Sequence, residues 1–159
     1  MVRVALDPDG IPDYFKIRRQ FVGWNAKLKA NGKLDKVPMI AGTRNRASTT
    51  DLLTWRPFEE AYEAYEDGKH DGVGFCFCSA DPFVGIDFDN CRNPETGAVD
   101  AGILEYIESF KNRYVEVSVS GTGIHLITRG KIKGGTNPNG DVREIYDQDR
   151  FFALTGVSL

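Results

Sequence analysis

The sequence predicts an α+β fold with a mainly antiparallel sheet, and three observations carry that prediction. Short apolar runs such as GVGFCFC, FVGIDFD and YVEVSVS are bounded by Gly, Asn, Asp and Pro, the pattern of strands joined by turns. Two other segments, FEEAYEAYEDG and AGILEYIESF, space their apolar residues for one face of a helix. No repeat, low-complexity tract or linker interrupts the 159 residues, a length that suits one domain with its own core.

From the N-terminus, DYFKIRR reads as a short helical segment, and FVGWNAKLKANGKLDKVPM reads as a hairpin. In that hairpin Phe21, Gly23 and Asn25 alternate with Val22 and Trp24, and Asn31-Gly32-Lys33 marks the turn. ASTTDLLTWRPF is polar and punctuated, hence a loop. Pro57 suits the first turn of a helix. Phe58, Ala61, Tyr62 and Tyr65 supply its apolar face, Glu59, Glu60, Glu63 and Glu66 face water, and Gly68 stops it. GVGFCFC, the turn SADP and FVGIDFD read as a second hairpin. Asp100 is placed to cap a helix whose stripe is Ile103, Leu104, Ile107 and Phe110. YVEVSVS sets Val115, Val117 and Val119 on one strand face and Glu116, Ser118 and Ser120 on the other. GTG turns the chain into the strand IHLIT, GKIKGGTNPNG reads as a flexible loop, and VREIYD with RFFALTG reads as a closing hairpin.

Composition works mainly by exclusion. No apolar run approaches the ~18 residues of a membrane span, and MVRVALDPDG lacks the apolar core of a signal peptide. The three cysteines are an odd number, against a disulfide framework, so a cytoplasmic setting is expected. Cys76-Phe77-Cys78 has the wrong spacing for a zinc knuckle and reads as small apolar groups on a strand. The net charge of −3 conceals an asymmetry: from Lys16 to Arg46 the chain is basic, with Asp35 the only acid. Such an arm meets phosphates or is a solvated surface, and charge alone leaves both open.

Chemistry concentrates in the second half. Asp87 and Asp89 sit at i and i+2, so on a strand both carboxylates point to one face, where like charges repel unless something lies between them. A D-x-D pair suits Mg²⁺ or Mn²⁺, hard cations that take oxygen ligands; the alternative is an Asp-rich strand end feeding the turn NCRNPETG. Glu144, on the strand VREIYD, offers a third carboxylate if its strand lies beside the first, and three carboxylates hold two ions about 3.5–4 Å apart for phosphoryl transfer. Asp147 competes for that role but lies nearer the turn. In SVSGTGIHL, Gly121 and Gly123 allow backbone amides close to an anion, Ser118, Ser120 and Thr122 add hydroxyls, and His125 can donate to a phosphate oxygen.

The order D-x-D, S-G-x-G-x-H, then an acid on a strand before RFFALTG resembles the archaeo-eukaryotic primase superfamily, closest to the bifunctional DNA primase/polymerase N-terminal domain of phages and plasmids. Asp87 and Asp89 match the first motif, Ser120 and His125 the second and Glu144 the third. Upstream, Lys36-Val37-Pro38 and Ala47-Ser48 match the family's entry segment, and the likeness covers roughly residues 20–156. The resemblance implies a two-part catalytic domain over 1–159, with an N-terminal α/β portion to about residue 70 and an RRM-like sheet bearing the motifs from about residue 71. It implies template-directed nucleotidyl transfer with two Mg²⁺ or Mn²⁺ ions on Asp87, Asp89 and Glu144. Ser118, Ser120, Gly121, Thr122, Gly123, His125 and Lys36 would meet the incoming dNTP or NTP, and Arg44, Arg46 and Ser48 the DNA template and primer. Relatives often continue into a helical priming domain and a helicase, so unaided primer initiation is expected to be weak.

Two rivals fit parts of the sequence. A rolling-circle replication endonuclease shares an RRM-like core but needs paired histidines, and this chain has only His70 and His125. A non-catalytic RRM-like binding module needs exposed aromatics on its sheet, where this one carries acids.

Overall fold

The computed structural model describes residues 3–32, 34–131 and 143–159, without the side chain of Arg143. Two four-stranded antiparallel sheets form its frame. Sheet A has the order β2-β1-β3-β8, from β1 (Phe21–Leu28), β2 (Leu34–Met39), β3 (Gly72–Phe77) and β8 (Arg150–Leu154). Sheet B has the order β5-β6-β4-β7, from β4 (Phe83–Phe88), β5 (Arg113–Val117), β6 (Ile124–Arg129) and β7 (Arg143–Tyr146). Three short helices, α1 (Asp13–Lys16), α2 (Phe58–Glu66) and α3 (Ala101–Glu108), complete an α+β fold. No helix among the described residues is long and apolar enough to cross a membrane.

The predicted β1–β2 hairpin forms, with Asn25 opposite Val37 and Leu28 opposite Leu34. Helix α2 ends as its glycine requires: Gly68 has φ 72°, and the amides of Gly68 and Lys69 donate to the carbonyls of Tyr65 and Ala64. The other two predicted hairpins do not form. β3 pairs with β1 and β8, whereas β4 pairs with β6 and β7, so each apparent hairpin is a crossing between layers. The physical reason lies in the SADP turn. The Asp81 carboxylate accepts from the amides of Cys78 and Phe83 and from the Gln20 amide, which pins the turn to sheet A and sends β4 away. Phe75 and Phe83 then meet edge-on at 5.9 Å across the gap instead of side by side in a ladder. β7 and β8 repeat the crossing through the turn at Asp147–Asp149, where Asp149 takes φ 59°.

Smaller expectations also need correction. Asp100 occupies the N-cap of α3 without a side-chain bond, and Leu104 is exposed while Tyr106 packs inward with Ile103, Ile107 and Phe110. Val119 and Ser120 lie in the turn beyond β5, and Leu52–Thr54 form a 3-10 turn within the predicted loop. The GKIKGGTNPNG loop falls outside the described residues from 132 onward, as does Val142.

The main core lies where α1, α2 and the inner face of sheet B meet sheet A: Phe15, Phe21, Phe58, Phe75, Phe77, Phe83, Ile127 and Phe152 are all buried there. The outer face of sheet B buries Val84, Ile86, Phe88, Ile124 and Leu126 beneath α3. Strand β4 therefore alternates between two apolar environments, and its inner residues Phe83, Gly85 and Asp87 face sheet A. Gly85 is the closest approach: a Cβ there would stand 2.6 Å from Phe77 and 2.7 Å from Phe152. Gly85→Val is therefore expected to lower stability by about 1–3 kcal/mol through overpacking. Urea unfolding measures this, and a wild-type midpoint would contradict the close sheet contact.

Candidate active site

The register of sheet B gathers the polar residues. Glu116 on β5 stands opposite His125 on β6, His125 opposite Asp87 on β4, and Asp87 opposite Glu144 on β7. Directly opposed residues share a sheet face, so one row, Glu116–His125–Asp87–Glu144, crosses all four strands on the side facing sheet A. At the open end of that row is a cleft of about 560 Å³. Lys29, Asp35 and Lys36 from the β1–β2 hairpin and Arg150 and Phe152 from β8 form its other wall.

Asp87 is the strained member. Burial foremost pushes its carboxyl above the ordinary aspartate range; His125 and Lys36 draw it back, while Asp89 and Glu144 push it further up. Two acids opposed on neighbouring strands destabilise a sheet unless a cation stands near them. Part of the compensation is built in: His125 Nε2 lies 3.7 Å from Asp87 Oδ1. The Tyr146 hydroxyl donates to Glu144 Oε2, and the Arg150 guanidinium lies 5.1 Å over the Tyr146 ring.

His125 is held from two sides. Its ring stacks on Phe152 at 4.6 Å, and its Nδ1 lies 2.8 Å from Glu116 Oε1. Glu116 is fully buried, and its Oε2 accepts from the Tyr114 hydroxyl at 2.6 Å and from the amides of Thr155 and Gly156 at 2.9 and 2.8 Å. Those four contacts occupy both oxygens, as a buried carboxylate requires. A carboxylate oxygen only accepts, so Nδ1–H donates to Glu116 Oε1 and Nε2 is turned to the cleft. Sequence reasoning set Glu116 on the correct strand face but gave it no role. Alternation shows which way an acid points, and only the packed sheets show that Thr155 and Gly156 cover it.

The other predicted residues divide by location. Lys36 reaches the cleft. Asp89 lies just past the end of β4, exposed, because the chain turns at Asn90 with φ 51°; the strand that was to carry both aspartates carries only Asp87. Ser118 through Gly123 form a turn whose first part, Ser118 to Gly121, lines a separate hollow with Val4, Ala5, Thr155 and Val157. Its polar groups bond among themselves: Ser118, Ser120 and Thr122 hydroxyls form a chain at 3.0 Å steps, and the amides of Gly121 and Gly123 donate to Ser118. Arg44 and Arg46 are exposed on the loop after β2, whose far end from the cleft they follow. Ser48 Oγ bonds Thr50, and its carbonyl accepts from Trp55 Nε1 at 2.7 Å. Asp147 lies in the turn beyond β7.

Among the described residues, no three His, Cys, Asp or Glu side chains stand close enough, as they lie, to hold a metal ion. The donor chemistry nevertheless fits a hard divalent cation. Asp87 and Glu144 are cross-strand neighbours, Asp89 acts on the same carboxyl, and all three supply oxygen.

The Glu116–His125 contact yields a direct test. In Glu116→Gln the amide oxygen takes the Oε2 position, where three donors converge. The NH₂ then faces Nδ1, which must become an acceptor, and the imidazole proton moves to Nε2. Nitrogen-15 spectra of the histidines should show His125 as the Nδ1–H form in the wild type and the Nε2–H form in the variant. An unchanged Nδ1–H signature would mean that Glu116 does not set the tautomer.

No protein-family model matches the chain. It is similar to a DNA primase-polymerase of Nitratiruptor phage NrS-1, with 31% identity over 126 residues. That alignment covers 76% of this chain, and the chain spans 17% of the length of that relative. The similarity supports the primase-polymerase family as the one to which this chain belongs.

Proposed function

We propose that the chain carries the catalytic core of a DNA-acting nucleotidyl transferase, extending a primer on a template from dNTPs or NTPs. The observation that carries this reading is the cross-strand row in which Asp87, Glu144 and His125 meet at one cleft, in a chain similar to a phage DNA primase-polymerase. The split β-α-β connection of sheet B, with α3 between β4 and β5 and β6 seated between those strands, supports an RRM-like motif-bearing unit.

In this reading Asp87, Asp89 and Glu144 hold two Mg²⁺ or Mn²⁺ ions. When bound, the ions would acidify the primer 3′-hydroxyl and neutralise the leaving pyrophosphate. The chain's own residues bind and orient. His125, fixed through Nδ1, donates from Nε2 to a triphosphate oxygen in its doubly protonated form, and Lys36 adds charge from the facing sheet. The Ser118–Ser120–Thr122 hydroxyls, bonded to one another in the turn, would turn from that chain to meet the nucleotide. Arg44, Arg46 and Ser48 form the loop we assign to primer–template DNA. A helical priming domain and a helicase are the expected partners for initiation, which must hold two unanchored nucleotides at a cost of several kcal/mol.

The test is primer extension with labelled nucleotides in Mg²⁺ and in Mn²⁺. Asp87→Asn and Glu144→Gln are each expected to lower incorporation at least about a hundredfold while preserving the circular dichroism of the wild type. In a thermal melt without nucleotide, Mn²⁺ should raise the wild-type midpoint and leave that of Asp87→Asn unmoved. Near-wild-type extension by either variant would remove the carboxylates from the chemistry.

A further inference from the structure

The end of sheet B opposite the active-site cleft holds a second hollow, beyond the start of β4, where Arg113 also donates to the Phe110 carbonyl. The hollow, of about 540 Å³, is walled by Tyr14, Phe83, Lys111, Arg113, Thr128 and Arg129. Lys111, Arg113 and Arg129 are all exposed, and none is ion-paired among the described residues. A fourth cation, Arg18, lies with its guanidinium 5.0 Å over the Phe83 ring. No carboxylate lines the hollow. Asp13, beside Tyr14 in the chain, directs its carboxylate to Lys16 at 3.8 Å. The chain as a whole carries a net charge of −3, so this corner reverses its average. Tyr14 is 39% exposed, and its ring is braced by Phe15 at 4.6 Å and Phe83 at 6.2 Å.

Cations without counter-charges around a braced, accessible aromatic ring are the two elements of a single-strand binding surface. The charges take phosphates, and the ring takes the face of an unstacked base. We propose that this hollow binds single-stranded DNA, with backbone phosphates on Arg113, Arg129 and Lys111 and a base against Tyr14. The choice of DNA, held as the template strand, rests on the proposed function; the binding of an anionic single strand stands on the hollow itself. A duplex keeps its bases stacked and would leave Tyr14 unused. A free nucleoside triphosphate also brings three phosphates, so competition by dTTP is an arm of the test.

The test is fluorescence anisotropy of the whole chain with a labelled oligothymidylate, between about 50 and 300 mM salt. Three phosphate contacts at about 0.7 each predict a log–log salt slope near −2. Arg113→Glu with Arg129→Glu should weaken binding at least about tenfold and flatten the slope. The milder Arg113→Gln with Arg129→Gln should weaken it in the same direction, with circular dichroism reporting the fold of both. Tyr14→Ala should cost about fivefold or more without changing the slope. Asp87→Asn should retain strand binding, so a failure of the polymerase reading leaves this result standing. Four outcomes would overturn the proposal: wild-type affinity in both arginine pairs; loss of binding only on reversing Arg44 and Arg46; tighter binding of duplex than of single strand; or displacement of the strand by equimolar dTTP, which would assign the hollow to free nucleotide.

Discussion

The buried carboxylate of Glu116 is the interaction on which the rest of the structure depends. It belongs to β5 in sheet B, yet two of its donors are the amides of Thr155 and Gly156, just beyond β8 of sheet A. One side chain thus fastens the two layers and orients His125 between them. A charge buried to 0% exposure is tolerable only when both oxygens are occupied, and removing one partner of such a set ordinarily costs about 3–5 kcal/mol. The end of the chain is therefore tied into the site: Thr155 also donates its hydroxyl to the Val117 carbonyl at 2.6 Å. Sheet packing and site geometry are the same set of contacts.

Asp87 shows the opposite economy. Nothing in its surroundings fully offsets the burial of its carboxyl or the acids on either side, and the nearest compensations, His125 and Lys36, are themselves positioned to meet an anion. Stability alone would favour an apolar residue in the row between His125 and Glu144. Repulsion retained at the mouth of an open cleft marks a place where an incoming cation can gain more than it would on a neutral surface.

Much of this was legible in the sequence, and the failures share one cause. Strand periodicity identified β4, β5 and β6 and the faces of Asp87 and Glu116, because alternation depends only on local backbone geometry. It could not tell a hairpin from a crossing between layers. GVGFCF is buried at every residue, so its pattern carries no information about which neighbour it pairs with. The deciding signal was Asp81 bonded to Gln20, a contact between residues distant in sequence. The same limit applies to the site: Lys36 belongs to a motif and reaches the cleft, whereas Arg150 and Phe152 enter it only because β8 crosses back to sheet A, and Tyr146 because β7 pairs with β4. The serines and threonine of the Ser118–Gly123 turn also bond one another, which spacing alone does not reveal.

The inner face of β4 joins an acidic end to a basic one. From Phe83 to Asp87 the strand advances about 13 Å, at roughly 3.3 Å per residue. That exceeds the Debye length of about 8 Å at physiological ionic strength, so charges at one end are largely screened from exposed charges at the other. Opposite requirements can therefore coexist on one small domain. The carboxylate end can attract cations without weakening Arg113 and Arg129, and the arginines can hold phosphates without neutralising Asp87 and Glu144. Between the two ends the face is filled by Phe83, Gly85 and the rings of Phe77 and Phe152, an apolar spacer that sets the distance, while the screening runs through the solvent around it. The missing side chain at Gly85 lets those rings close the gap, and with it the separation of the two charged ends.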